Sequence, residues 1–171
     1  MQIMYKNKTM HLEDMLLDIG YASERVTLCD EAQQTRHVAG QNGKTQLIVT
    51  VPKIDKSMHD ELSKITSIIS DMQDEQTECC LIVANDRHQN PNIDEIAFLI
   101  DSEGEFGDYY GSRLVGEPLE GELTKSVLLI SKDGALFYDE YPKDIETPFN
   151  LEMLQVKVAA AQNCYTGKGC H

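Results

Sequence analysis

The sequence has no long apolar run, no internal repeat and no Pro/Gly/Ser-rich linker, and its basic side chains are few. Each absence excludes something. Without a stretch of about 20 apolar residues there is no candidate membrane-spanning helix. The opening Met1–Gly20 carries charges throughout and lacks the apolar core of a secretory signal, so a cytoplasmic location is expected. In the absence of a linker or repeat, one domain is expected over residues 1–163, followed by a cysteine-containing tail, 164–171. With 15 basic against 29 acidic residues the net charge is −14, so most of the surface repels phosphate backbones and anionic lipid. Neither nucleic acid nor a membrane is an expected partner. Five cysteines, an odd number, do not fit the fully paired framework of a small secreted domain. Reduced thiols are expected, with room for one redox-active pair.

What is present describes an ordinary folded domain. An apolar fraction of 41% and a charged fraction of 26% are near globular averages, and 171 residues suffice to close one core without staples. Strand-like and helix-like segments alternate, which predicts α/β layering. Hairpin character runs from Ile3 to Leu16, and a further strand-like piece spans Arg25 to Cys29. The run Thr45-Gln-Leu-Ile-Val-Thr-Val51, stopped by Pro52, reads as a buried central strand. From Met58 to Met72 the apolar residues Leu62, Ile65, Ile68, Ile69 and Met72 recur at helical spacing. Cys79–Ala84 and Ile96–Ile100 read as two more core strands, the second followed by a turn-rich acidic stretch as far as Gly111. Ser126–Ile130 and Ala135–Tyr141 flank Asp133-Gly134, a strong hairpin signal, and should pair antiparallel. Asn150 can cap a last helix carrying Leu151, Leu154, Val158 and Ala161 on one face.

Three stretches narrow this order further: Tyr5-Lys-Asn-Lys-Thr-Met-His-Leu-Glu13, the strand Leu47-Ile-Val-Thr-Val-Pro52, and Lys125-Ser-Val-Leu-Leu-Ile-Ser-Lys-Asp-Gly-Ala-Leu-Phe-Tyr-Asp-Glu-Tyr141. Together they resemble the bacterial thiol peroxidases, an atypical two-cysteine branch of the peroxiredoxins, over nearly the whole chain. The resemblance implies an α/β, thioredoxin-like fold of peroxiredoxin type: a central mixed sheet flanked by helices, with an N-terminal β-hairpin extension. It also implies a homodimer, no cofactor, and a thioredoxin-type reductant wherever the thiols are redox active.

In that family the strand is followed by Pro, three residues, Thr, two residues and the peroxidatic Cys at the start of a helix, and an Arg on a later strand completes the site. A cysteine at a helix N-terminus beside a cation has a lowered pKa, so the nucleophilic thiolate is present at neutral pH. The matching run here is Pro52-Lys-Ile-Asp-Lys-Ser-Met-His59. Pro52 matches, Lys56 stands for the Thr, His59 for the peroxidatic Cys, and Lys125 for the Arg. The segment Asn85–Asn92, shortened relative to the family's cysteine-bearing helix, also holds no Cys. The resemblance therefore implies a family fold without the family's thiol cycle, and neutral imidazole does not reduce peroxide as a thiolate does. His59 at a helix N-terminus is instead a candidate for binding an anion or other ligand, with Lys56 and Lys125 adding positive charge to a small cationic recess. The competing reading is a decayed site of solvated side chains.

The remaining cysteines leave alternatives open. Cys164 and Cys170, with Gly167 and Gly169 between them, can close a disulfide and serve as a redox pair, making the protein a thiol peroxidase or disulfide-exchange enzyme by another route. With His171 they also offer three soft ligands to a metal, the basis of an accessory metal-binding role. Against both stands a plain terminal tail with incidental thiols. Cys79 and Cys80 should face opposite sides of their strand, and burial as a small hydrophobe is expected for at least one of them and for Cys29. The acidic run Asp101–Asp108 lacks the spacing of a calcium loop and reads as a surface connection. The leading expectation is a binding or interaction protein built on the thioredoxin fold.

Overall fold

The computed structural model describes residues 1–71 and 77–163. Its first reversal, at Lys6 and Asn7 (φ 47° and 64°), has the left-handed backbone that suits the twist of a two-residue hairpin. It joins β1 (Gln2–Tyr5) to β2 (Lys8–Leu12). A second hairpin, β3 (Val26–Cys29) and β4 (Thr35–Val38), follows. The chain continues through β5 (Thr45–Thr50), α1 (Lys56–Asp71), β6 (Thr77–Val83), β7 (Ile96–Ile100), α2 (Glu105–Tyr110), β8 (Leu114–Val115), β9 (Ser126–Ile130), β10 (Leu136–Glu140) and α3 (Leu151–Gln162).

Seven strands form one mixed sheet in the order β10-β9-β5-β6-β7-β3-β4, and β1-β2-β8 form a separate small sheet. β5, β6 and β7 run parallel, while β9 lies antiparallel to β5 with Leu47 opposite Leu129. Every residue of β5 is buried, as a strand covered on both faces requires. Alternation along the strands sorts side chains into two cores. Leu47, Val49, Leu81 and Leu129 pack with Leu62 and Ile65 of α1 and Leu154 and Val158 of α3. Ile48, Ile82, Leu128 and Ile130 pack with Phe106 and Tyr110 of α2. The result is the expected thioredoxin-like α/β architecture, with the N-terminal hairpin packed outside through Ile3, Met10, Leu12, Leu114 and Ile145.

Most expected elements appear, including the β9–β10 hairpin, whose Gly134 sits at φ 89° and could carry no Cβ without meeting the Gln41 backbone at 2.9 Å. Asn150 caps α3, accepting the Met153 N–H at 3.0 Å. Two expectations need correction. The acidic stretch after β7 contains α2, held by the buried Asp101 carboxylate, which accepts the N–H groups of Phe106 and Gly107 at 2.9 Å each. α1 starts two residues before Met58, because Asp55 already caps it and accepts the Met58 N–H at 2.9 Å. No described helix is long and apolar enough to cross a membrane.

Candidate functional site

Pro52 ends the apolar run of β5 and is buried; the chain then turns outward and Asp55 begins α1. Lys53 donates to Asp55 at 2.8 Å and lies 4.7 Å from the Tyr5 ring centre. That bond, with the Met58 N–H, holds the Asp55 carboxyl below its ordinary range. At about 100° per residue, His59 and Glu61 project to opposite sides of the helix. The first turns of α1 therefore face two different cavities.

On the Glu61 side the residue at the family's Arg position is enclosed. Lys125 is 1% exposed; its ammonium donates to Glu61 Oε1 at 2.9 Å and to the Thr147 carbonyl at 2.6 Å, and sits 4.7 Å from the Phe149 ring centre. Glu61 Oε2 is buried without a hydrogen-bond partner. Beside the pair is a cavity of about 130 Å³, which Ser57 and Ile145 also line. Lys125 thus does not contribute to a cationic recess around His59, contrary to expectation. A buried ammonium needs a nearby counter-charge, and Glu61, on the apolar stripe of α1 with Met58 and Leu62, supplies it.

On the His59 side a recess of about 600 Å³ opens between α1 and the β6–β7 connection. Lys56 and His59 line it from the helix, Arg87 and His88 from the connection, with Ile54 and Pro91 as its apolar surfaces. Neither the Lys56 ammonium nor the His59 ring has a partner among the described residues. Arg87 is held at two points, through Nε to Asn85 Oδ1 at 3.2 Å and Nη2 to Glu122 Oε1 at 3.3 Å. The His88 ring lies against Glu122 Oε2 through Nε2 at 2.8 Å, and both side chains are largely buried. Burial opposes the Glu122 charge, but hydrogen bonds from His88 and Asn85 and the nearby Arg87 outweigh it and hold the carboxyl below its ordinary value. One carboxylate thereby orients both an imidazole and a guanidinium.

Of the four positions that the resemblance assigns to a peroxide site, Lys56 and His59 share this recess, Pro52 is buried beneath the loop leading to it, and Lys125 belongs to the other cavity. Arg87, His88, Glu122 and Glu61 were not anticipated. Glu61 had a sequence signal, a carboxylate on the apolar stripe of an amphipathic helix; Glu122 had none, since its contacts reach 34 and 35 residues back along the chain.

The described thiols lie elsewhere. Cys79 and Cys80 are both buried, one in each core, as strand alternation demands. Burial pushes the Cys79 thiol up to about 12 and Cys80 well above its usual value, so neither supplies thiolate at neutral pH. Cys29 is only partly buried, short of expectation, because it lies where β3 meets β7 at a single residue pair, with its sulfur 3.4 Å from Ser102 Oγ. Cys164, Cys170 and His171 lie outside the described residues. No group of three or more His, Cys, Asp or Glu suited to a metal occurs among the described residues.

No protein-family model and no curated protein matches the chain. Solved structures do. A peroxiredoxin-like protein from Aquifex aeolicus superposes with a TM-score of 0.81 over 92% of this chain and 95% of its own, at 21% identity. A thiol peroxidase from Chromobacterium violaceum gives 0.77 over the same shares at 15% identity. AhpC of Mycobacterium tuberculosis gives 0.66 over 91% of this chain and all of its own, at 13%. The chain has the peroxiredoxin fold. Identities this low carry the architecture alone, so the chemistry of this peroxiredoxin-fold protein has to be read from its own residues.

Proposed function

We propose that the protein uses the peroxiredoxin fold for binding rather than for peroxide reduction, with the recess at His59 as its ligand site. The observation that carries this reading is the division of the first turns of α1. Peroxide reduction needs a thiolate to attack one oxygen while a fixed cation steadies the leaving one. His59 stands where the resemblance places the thiol. The cation at the Arg position is committed to Glu61 and Thr147 within the core. What the start of α1 offers instead is unpartnered basic side chains over an open recess. Pairing of two copies and service by a thioredoxin-type reductant are implications of the family resemblance alone, and a redox role for Cys164 and Cys170 is the alternative that the same experiment addresses.

That experiment is peroxide consumption by the reduced full chain, with hydrogen peroxide and an organic hydroperoxide, thioredoxin as reductant, and a Cys164→Ser/Cys170→Ser variant alongside. Consumption at the free-thiol background is expected for both proteins. Turnover far above it in the unmodified chain would overturn the binding reading, and its loss in the variant would assign the chemistry to the tail.

A further inference from the structure

The recess at His59 has a composition unlike the rest of this acidic protein. Lys56 and His59 have no side-chain partner among the described residues, and Asp55, the acidic side chain that lines the recess, is engaged by Lys53 and the Met58 N–H. Across from them Arg87 uses Nε and Nη2 to hold Asn85 and Glu122, which leaves Nη1 without a partner among the described residues. With the His88 Nε2–H donated to Glu122, Nδ1 of the neutral ring is an acceptor, suited to the P–OH of a phosphate monoanion. Glu122 is shared between Arg87 and His88, and with Asp55 paired to Lys53 the recess keeps a net positive charge even with both imidazoles neutral. Positive charge gathered without partners at one recess of a chain of net charge −14 gives an anion a local site on a surface that otherwise repels it.

We infer that the recess takes a phosphate-type oxyanion carried on a small organic body, a phosphomonoester. The Nη1 end of the guanidinium offers charge-assisted donors to phosphate oxygens, and the Lys56 ammonium supplies a point charge. A volume of about 600 Å³ exceeds what inorganic phosphate fills, and Ile54 and Pro91 offer apolar surface to the rest of the molecule. Glu122 holds the largely buried His88 ring in place, so little of its side-chain freedom is lost on binding. The inference rests on the reading that this recess, and not a thiol, is the working site.

Isothermal titration of the full chain with inorganic phosphate and with phenyl phosphate tests it, beside the peroxide assay. Saturable binding is expected for both, tighter for phenyl phosphate and weaker as ionic strength rises. Lys56→Ala and Arg87→Ala should each weaken phenyl phosphate about tenfold, from the loss of one charge-assisted contact. Lys8→Ala, on the exposed hairpin strand β2, should change nothing. Absent saturation, or equal losses in all three variants with unchanged far-ultraviolet spectra, would overturn the oxyanion assignment. Peroxide turnover alongside intact phosphate binding would instead sink the function proposed above, so the two failures are distinguishable.

Discussion

The two sides of α1's first turns present the same kind of charge in opposite states. Lys125, on one side, is sealed into the core with every ammonium direction used, by a carboxylate, a carbonyl and an aromatic face. Lys56 and His59, on the other, are exposed, and their side chains have no partner among the described residues. A buried charge is tolerated only when paired, so the first arrangement belongs to the fold. An exposed charge costs little to leave unpaired, and a concentration of such charges beside a guanidinium is what the proposed oxyanion would use.

The largest effect that would break this contrast is on stability. Lys125→Ala leaves the Glu61 carboxylate buried without a counter-charge and should cost about 3–5 kcal/mol in denaturant unfolding. Replacing both partners with apolar residues, Lys125→Met with Glu61→Leu, should restore most of that loss, because neither charge is then left behind. If the single variant is as stable as the parent, the pair is not the structural element described.

A smaller and pH-dependent effect belongs to the recess wall. The Glu122 carboxyl is held below its ordinary value near 4.5, so its stabilising charge is fully present above that value and is lost as pH falls through the lower folded one. Unfolding followed from pH 7 to pH 3 should show a steeper loss in the parent than in Glu122→Gln, and the curves should converge at the acid end. At neutral pH the variant should be weaker by about 1.5 kcal/mol, the lower end for a hydrogen bond to a charged group, since Arg87 is mostly exposed. Parallel curves would remove Glu122 as the group that orients Arg87 and His88.

How much of this could be read beforehand follows from the range of the interactions involved. Thr45–Thr50 and Ser126–Ile130 declare themselves as core strands because burial on both faces is written into consecutive residues. Asp133-Gly134 declares its hairpin because turn chemistry is local. α2 was hidden: six residues, two of them acidic, form a helix because Asp101, folded beneath them, accepts the N–H groups of Phe106 and Gly107. The site was half legible for the same reason. His59 and Lys56 lie within one local motif, whereas Lys125 was assigned to the recess by resemblance and only three-dimensional packing reveals its partner 64 residues earlier. Arg87 and His88 sat in plain view in a segment remarkable chiefly for its lack of cysteine, and nothing local marked Glu122 as their anchor.

The smallest effect is the most discriminating for function. α1 has no acidic residue in its first turn, and Lys56 and His59 place basic groups where the helix dipole is already positive. Were stability the only demand, those positions would favour acids or neutral residues. The variant Lys56→Ala/His59→Ala should therefore be slightly more stable than the parent, by about 0.3–1 kcal/mol, through relief of the dipole and the better helix propensity of alanine. The acidic field of the whole chain works the other way, since it favours any basic residue. That field acts over longer distances and is screened at about 0.15 M salt, where the Debye length is about 8 Å, so the local contribution is best measured there. A rise in denaturation midpoint with loss of phenyl phosphate binding would mark both residues as kept for recognition at a cost to the fold. A fall would mean that Lys56 and His59 support the helix after all, and that the two sides of α1 differ less than their geometry implies.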